Sequence, residues 1–304
     1  MNPCVATVGT FDGFHIGHRA IVDKVKDIAR EKGIMSRAIT FMNHPLTVIA
    51  PERAPKWAID RSQSCNFLRF NLDRVSEMNF TSELAAMTAR DFMRLLRERF
   101  NVDTLVMGYD NTFGSDRLAT HEDYVSAGRD AGIEVVFVDA VNTSDGRPVS
   151  SSRLRKAIAA WDYNEITSLL EMSILYPATV VKGRQMGRRI GFPTLNLEMR
   201  ENIVEIPDGV YLAFLHLNHE DDGMPGVLSV GTNPTVGGTI KTYELHIFDR
   251  KLRNMYDEEV YVLICERFRD IKKFDSLNDL KNAIRDDIKT AKRILREDDH
   301  SEFQ

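Results

Sequence analysis

Two rhythms of apolar and polar positions divide the chain. Over its first 139 residues, short apolar runs alternate with longer amphipathic stretches. The runs at 4–8, 37–41, 75–80, 104–109 and 133–139 have the length and composition of buried strands. Between them, 17–32, 62–72, 89–100 and 121–131 repeat apolar residues at helical spacing, as Ile21, Val25, Ile28 and Ala29 do in the first. Alternating strand and helix predicts an α/β domain, an open parallel sheet with helices on both faces. One more helix is expected over 157–170, where Trp161, Ile166, Leu169 and Leu170 are apolar.

Beyond Tyr176 the rhythm changes. Runs at 178–182, 210–217, 226–230, 242–248 and 260–265 alternate with a period of two and are joined by turns. That pattern predicts an antiparallel barrel or sandwich. The last segment, 277–295, aligns Leu280, Ile284, Ile288, Ala291 and Ile294 on one face behind an N-cap signature at Ser276 and Asp279. It is expected to pack on the second domain, and the acidic residues 297–304 to fray. The boundary falls near Ile174, giving domains 1–173 and 174–304.

Composition narrows the function. A chain of 304 residues has room for two cores. A net charge of −5 gives no footprint for non-specific nucleic-acid binding. Cys4, Cys65 and Cys265 have no metal spacing, no leader pattern opens the chain, and no apolar run is long enough for a bilayer. The expectation is a cytoplasmic protein without nucleic-acid or membrane partners.

The candidate chemistry sits at strand ends. The stretch Val8 to His18, VGTFDGFHIGH, is a strand-to-helix turn. Gly9 and Gly13 allow a tight turn and close ligand approach, and a helix N-terminus suits phosphate. His15 and His18 are three apart and can face one way, with Asp12 placed to orient a histidine, a metal or a ribose hydroxyl. Met107 to Gly114 ends another strand at Asp110 and Phe113, and Asn43-His44-Pro45 ends a third. Ser150, Ser151 and Ser152, followed by Arg153, Arg155 and Lys156, exceed what helix capping needs and suit pyrophosphate.

The second domain carries its own motif, KGRQMGRRIGFPTLNL, at 182–197. Its glycines and arginines suit a phosphate-wrapping loop, and Thr194 and Asn196 offer oxygens to Mg²⁺. On the strand 242–248, alternation puts Glu244 and His246 on one face, and a fixed carboxylate is what phosphoryl transfer to an alcohol requires of its base.

These residues resemble one family in order. GTFDGFHIGH is similar to the HxGH signature of bacterial bifunctional riboflavin kinase/FAD synthetases. Asn43-His44-Pro45 resembles their PHP-like turn, Gly108 to Gly114 their GxDFxFG loop, and Ser150 to Arg155 their ISSTxxR loop. Gly191 to Asn196 matches the GFPTxN of the kinase module, and 207–211, 230–235 and 244–246 match its later segments. Asn43 stands where proline is common, Asn111-Thr112 replace a Phe-Arg pair, Ser152 replaces threonine, and Arg184 stands where an acidic residue is frequent.

The resemblance implies a Rossmann-like nucleotidyltransferase domain followed by a riboflavin kinase-like barrel with a terminal helix. It implies phosphorylation of riboflavin by ATP with Glu244 as base, then adenylyl transfer to FMN by His15, His18 and Arg155. Gly9, Phe11, Asp12, Gly13, Ser151 and Ser152 would contact ATP in the first domain, and Gly183, Gly187, Arg188 and Gly191 in the second. Asn43, Asp110 and Phe113 would contact flavin, and Thr194 and Asn196 would hold Mg²⁺. Riboflavin, FMN and ATP are the implied partners of a monomer or weak homo-oligomer. The rivals are a riboflavin kinase whose first domain has altered chemistry, suggested by Asn111-Thr112, and a flavin- or nucleotide-binding regulator without turnover.

Overall fold

The chain opens on β1 (Cys4–Gly9), which forms the middle of a five-stranded parallel sheet. The structure, a computed structural model, describes residues 2–170, 173–183, 186–218, 222–235, 238–250 and 252–298. The other strands are β2 (Met35–Phe41), β3 (Arg74–Met78), β4 (Val102–Gly108) and β5 (Glu134–Val138), in the order β3-β2-β1-β4-β5. Alternation along β1 divides its side chains between two cores. Cys4, Ala6 and Val8 join the cluster built on Phe92, Met93 and Leu96, from α5 (Ala89–Phe100), and on Tyr124, from α6 (His121–Ala131). Val5 joins the opposite cluster, built on Val22, Val25 and Ile28 of α1 (Ile16–Lys32). Gly33 ends α1 in the left-handed conformation (φ 65°), and its N–H reaches back to Ala29 and Arg30. α6 begins on a capping box between Thr120 and Asp123.

Because the strand order reverses between β1 and β4, the loops beyond their carboxyl ends leave a crevice, the usual ligand position in such sheets. Shorter helices, α2 (Leu46–Ile49), α3 (Arg61–Asn71) and α4 (Ser82–Ala86), fill the β2-to-β4 connections. The helix expected over 157–170 is two: α7 (Ser151–Ala160) and α8 (Tyr163–Leu170). The break is Trp161, whose φ of 52° no α-helix accommodates.

By contacts the chain divides into two units, Met1–Arg155 with Ser168–Glu171, and Lys156–Thr167 with Met172–Gln304. Trp161 belongs with the second, where its indole N–H donates to the Cys265 carbonyl at 2.8 Å. That unit is a closed antiparallel barrel, not a sandwich, of β6 (Leu175–Val181), β7 (Leu195–Met199), β8 (Gly209–His216), β9 (Met224–Thr235), β10 (Gly238–Ile247) and β11 (Glu259–Arg269). β7 is the strand that the sequence pattern left inside the loop motif. β8 is buried on both faces. Tyr211, Ala213 and Leu215 turn into the barrel, while Val210 and Leu212 pack outside against Ala291 and Ile294 of a terminal helix. A short helix, α9 (Met186–Ile190), lies between β6 and β7, and the terminal helix, α10, is Leu277–Asp298. Arg184 and most of the acidic 297–304 stretch lie outside the described residues.

Candidate functional site

The turn after β1 is wound left-handed at three positions, Phe11 (φ 48°), Gly13 (φ 85°) and Phe14 (φ 42°). Two phenylalanines hold such angles only when packing over-determines them, and both rings are buried. A Cβ on Gly13 would also lie 2.3 Å from Leu154 Cδ2, so that side chain would have to shift to admit one. This close approach presses α7 against the turn. The Ser151 hydroxyl donates to the Asp12 carbonyl at 2.8 Å, and Arg155 pairs with the Asp12 carboxylate. The other Asp12 oxygen accepts the Ala58 N–H at 2.8 Å. Burial pushes the Asp12 carboxyl up, against the pull of Ala58 and Arg155. Arg155 also donates to Ser152 Oγ at 3.0 Å. One Asp12 carboxylate oxygen is therefore engaged by Arg155 and the other by Ala58, and the Arg155 pair with the Ser151 bond holds the 151–155 helix turn against the HxGH loop.

His15 is the N-cap of α1 and stacks on His18, ring centroids 3.8 Å apart. The Ser151 hydroxyl lies 3.4 Å from His15 Nε2. Nδ1 of each histidine is buried and, among the described residues, without a partner. Burial pulls His15 down to about 4, and His18 falls well below its ordinary value through burial and then the charge of His15. Both imidazoles are neutral near pH 7. They supply hydrogen bonds, and the positive charge comes from Arg155.

Two cavities meet above this turn. A polar one of about 310 Å³ is lined by Gly9, His15, His18, Asp110, Asp139 and Ser151. A larger one of about 580 Å³ is lined mainly by apolar side chains, among them Phe41, Phe80, Phe92, Phe113 and Tyr124. Val8, Gly9, Thr10, Asn111 and Thr112 line both. Asn111 fixes this shared wall by donating from Nδ2 to the Val8 carbonyl at 3.0 Å. Of the three expected flavin contacts, Phe113 lines the apolar cavity and Asp110 the polar one. Asn43 lines neither, its amide being occupied by Phe80, with Nδ2 donating to the carbonyl at 3.0 Å and Oδ1 accepting the N–H at 2.9 Å. His44 is held in one tautomer, its Nδ1 accepting the Leu46 N–H at 3.1 Å.

The second unit builds its site across two strands. Register places Glu244 of β10 opposite Asn196 of β7, so both side chains leave the sheet on one face. Thr194, just before β7, donates its hydroxyl to Glu244 Oε2 at 3.3 Å. The glycines make room: a Cβ on Gly183 would meet the Asn196 amide at 2.2 Å, and one on Gly187 the Phe192 carbonyl at 2.3 Å. Gly191 takes φ 91°. Gly183, Arg188, Thr194 and Asn196 line one small cavity of about 40 Å³, together with Asn254 and Tyr256. His246 shares its face with Glu244, and its Nδ1 lies 2.8 Å from the Pro193 carbonyl, steadying the turn that presents Thr194.

These two constellations coincide with two family matches. The FAD synthetase family matches residues 1–153 and the riboflavin kinase family residues 170–295. The chain belongs to the bifunctional riboflavin kinase/FMN adenylyltransferase family. The protein of that name from Pseudomonas fluorescens is 32% identical over 293 residues, covering 96% of this chain and 93% of its own. The Escherichia coli K12 protein is 31% identical with the same coverage. A Streptococcus pneumoniae crystal structure described as a macrolide-efflux protein is 29% identical, with a TM-score of 0.86 over 95% of this chain and 94% of that one. Among the described residues, no helix is long and apolar enough to cross a membrane.

Set beside the family's motifs, the HxGH and ISSTxxR segments meet in the first unit, and the GFPTxN segment meets Glu244 in the second. Several lining residues had no signal in the sequence. Asn254 and Tyr256 come from an unremarkable loop, and the apolar cavity draws on side chains scattered from Phe41 to Tyr124.

Proposed function

We propose that the chain makes FAD from riboflavin in two ATP-dependent steps, one in each unit, with domains 1–173 and 174–304. The supporting observation is that the expected donors cluster, one group in each unit. Thr194, Asn196 and Glu244 stand together in one unit, and His15, His18, Ser151, Ser152 and Arg155 in the other.

In the barrel, Glu244 takes the proton from the ribityl 5′-hydroxyl as its oxygen attacks the γ-phosphorus of ATP. The bond to the β-phosphate oxygen breaks, giving FMN and ADP. Gly183 and Arg188, which line the small cavity beside Thr194 and Asn196, would contact the phosphates. The hydroxyl of Thr194, the amide oxygen of Asn196 and the carboxylate of Glu244 are hard oxygen donors, a set that fits Mg²⁺. Thr194 and Asn196 would hold that ion, which when bound neutralises phosphate charge.

In the first unit, an FMN phosphate oxygen attacks the α-phosphorus of a second ATP and pyrophosphate leaves. The attacking oxygen is already ionised, so no base is needed, and catalysis is positioning and charge stabilisation. His15 and His18 donate hydrogen bonds from neutral rings. Arg155, oriented by Asp12, supplies charge, and Ser151 and Ser152 hold the departing pyrophosphate with the α7 N-terminus. The three cysteines, all free and buried, support a reducing cytoplasmic setting.

The test is a time course with riboflavin, ATP and Mg²⁺, the flavins being separated by chromatography. FMN should rise first and FAD follow. FMN alone would leave a riboflavin kinase with an inactive first unit, and bound but unconverted riboflavin would leave a binding protein.

A further inference from the structure

The side chains that line the apolar cavity of the first unit are mostly apolar, and most of the polar ones stand on the wall it shares with the polar cavity. Thr10, Asn111 and Thr112 belong to that wall. Tyr124 contributes its ring alone, because its hydroxyl is spent on Phe113, accepting the N–H at 3.0 Å and donating to the carbonyl at 2.8 Å. One charged side chain remains among the lining residues, Arg117. It lines this cavity and not the polar one, and its guanidinium has no protein partner among the described residues.

The backbone around Arg117 is fixed. Arg117 itself sits at φ 49° and Gly114 at φ 97°. Ser115 is tied to the end of α4, its N–H donating to the Met87 carbonyl at 2.8 Å and its hydroxyl to the Ala86 carbonyl at 2.9 Å. Asp116 accepts the Ala89 N–H at 2.9 Å, and the Arg117 N–H donates to the Gly114 carbonyl at 3.3 Å. A long cationic side chain is thus held in a left-handed conformation by anchors on the residues just before it, with its donors unspent. Arg117 is exposed, and left-handed non-glycine residues of this kind cluster at active sites and ligand clamps.

The chemistry of the ligand decides what Arg117 meets. This step rests on the adenylyltransferase reading above. The FMN phosphate has to reach ATP in the polar cavity, so it goes to the shared wall, away from the residues that line only the apolar side. The isoalloxazine ring fills the apolar side. One edge of that ring is dimethylbenzene, which has no acceptors. The other is a pyrimidine whose C2 and C4 carbonyl oxygens flank an N3–H donor, and its adjacent acceptor pairs, O2 with N1 or O4 with N5, are what a planar guanidinium matches with paired N–H donors. We propose that Arg117 is the specificity-determining residue that selects and orients the flavin by its pyrimidine edge for adenylyl transfer.

The test uses the full chain, ATP and FMN, with 2-thio-FMN and 4-thio-FMN as analogues whose acceptors at that edge are weakened, and 8-demethyl-FMN as a control at the other edge. The unmodified chain should take at least one thio analogue with a several-fold higher KM and 8-demethyl-FMN with little change. Arg117→Ala should raise KM for FMN about tenfold, the worth of a hydrogen bond to a charged group, while kcat and KM for ATP stay within about twofold. It should also lose the discrimination against the thio analogues, which a merely structural role would leave in place. Arg117→Lys, which keeps the charge but not the fork, should fall between. Retained kcat and KM for ATP in adenylyl transfer report that the first unit of either variant has folded. An unchanged KM for FMN in Arg117→Ala would overturn the proposal, as would discrimination that persists in the variant or is missing from the unmodified chain. Failure of the unmodified chain to turn FMN into FAD would instead overturn the adenylyltransferase reading on which this one stands.

Discussion

The imidazoles of His15 and His18 lie face to face, 3.8 Å between centroids and 14° from parallel. Two stacked rings with both Nδ1 atoms buried cannot both carry charge. The shift of His15 to about 4 carries a stability signature. Its folded pKa lies below the unfolded value near 6.5, so between those values the unfolded chain binds more protons. The stabilisation is complete above about pH 6.5 and is lost as pH falls toward 4, His15 alone accounting for on the order of 3 kcal/mol. Urea unfolding of the first unit at pH 7.5, 5.5 and 4.5 should show this decline. His15→Gln should make it shallower, His18 keeping its own share, and an equally steep decline in that variant would assign the effect to other groups.

The neutral rings also predict a division of labour. His18→Ala should abolish FAD formation from supplied FMN while FMN formation from riboflavin continues, since His18 belongs to the first unit and Glu244 to the second. Unimpaired FAD synthesis in this variant would remove His18 from the mechanism.

Arg155 pairs with a carboxylate that is almost wholly buried. Arg155→Met leaves Asp12 without its cation, which should cost on the order of 3 kcal/mol at neutral pH. The cost should shrink at lower pH, because burial already pushes the Asp12 carboxyl up and an unpaired Asp12 takes a proton more readily still. Denaturation of this variant at pH 7.5 and 5 checks the sign, and a pH-independent loss would mean that packing, not charge, is what Arg155 contributes. FAD synthesis should be lost at either pH.

Gly183 is where the amide of Asn196 lies, with no space for a Cβ. Gly183→Ala should displace that amide from the face it shares with Glu244, raising KM for ATP in riboflavin phosphorylation by roughly tenfold or more and leaving adenylyl transfer unaffected. Initial rates at varied ATP measure it, and an unchanged KM would separate Asn196 from nucleotide binding.

Much of this was legible in the sequence because its signals are local. The apolar runs of β1 to β5 and the helical spacing of α1, α5 and α6 mark those elements directly, and the strand ends point to the ligand crevice. β7 was not legible, because five residues following a glycine- and arginine-rich loop are too short to show a period of their own. Nor was the break at Trp161, where the run of apolar positions continues through a left-handed residue. Asn43 shows the limit of a motif position, since the sequence gives its place at the end of β2 but not the Phe80 backbone that occupies its amide. The protonation of His15 and His18 and the apolar cavity depend on burial by distant segments, which no spacing encodes.

The central claim is that one chain carries two independent sites, and Glu244→Gln tests it most directly. The variant keeps the shape of the side chain that accepts the Thr194 hydroxyl but cannot take a proton. Incubated with ATP and Mg²⁺, it should convert FMN to FAD at the rate of the unmodified chain and form no FMN from riboflavin. Loss of both conversions in a folded variant, or FMN formation at an undiminished rate, would contradict the account.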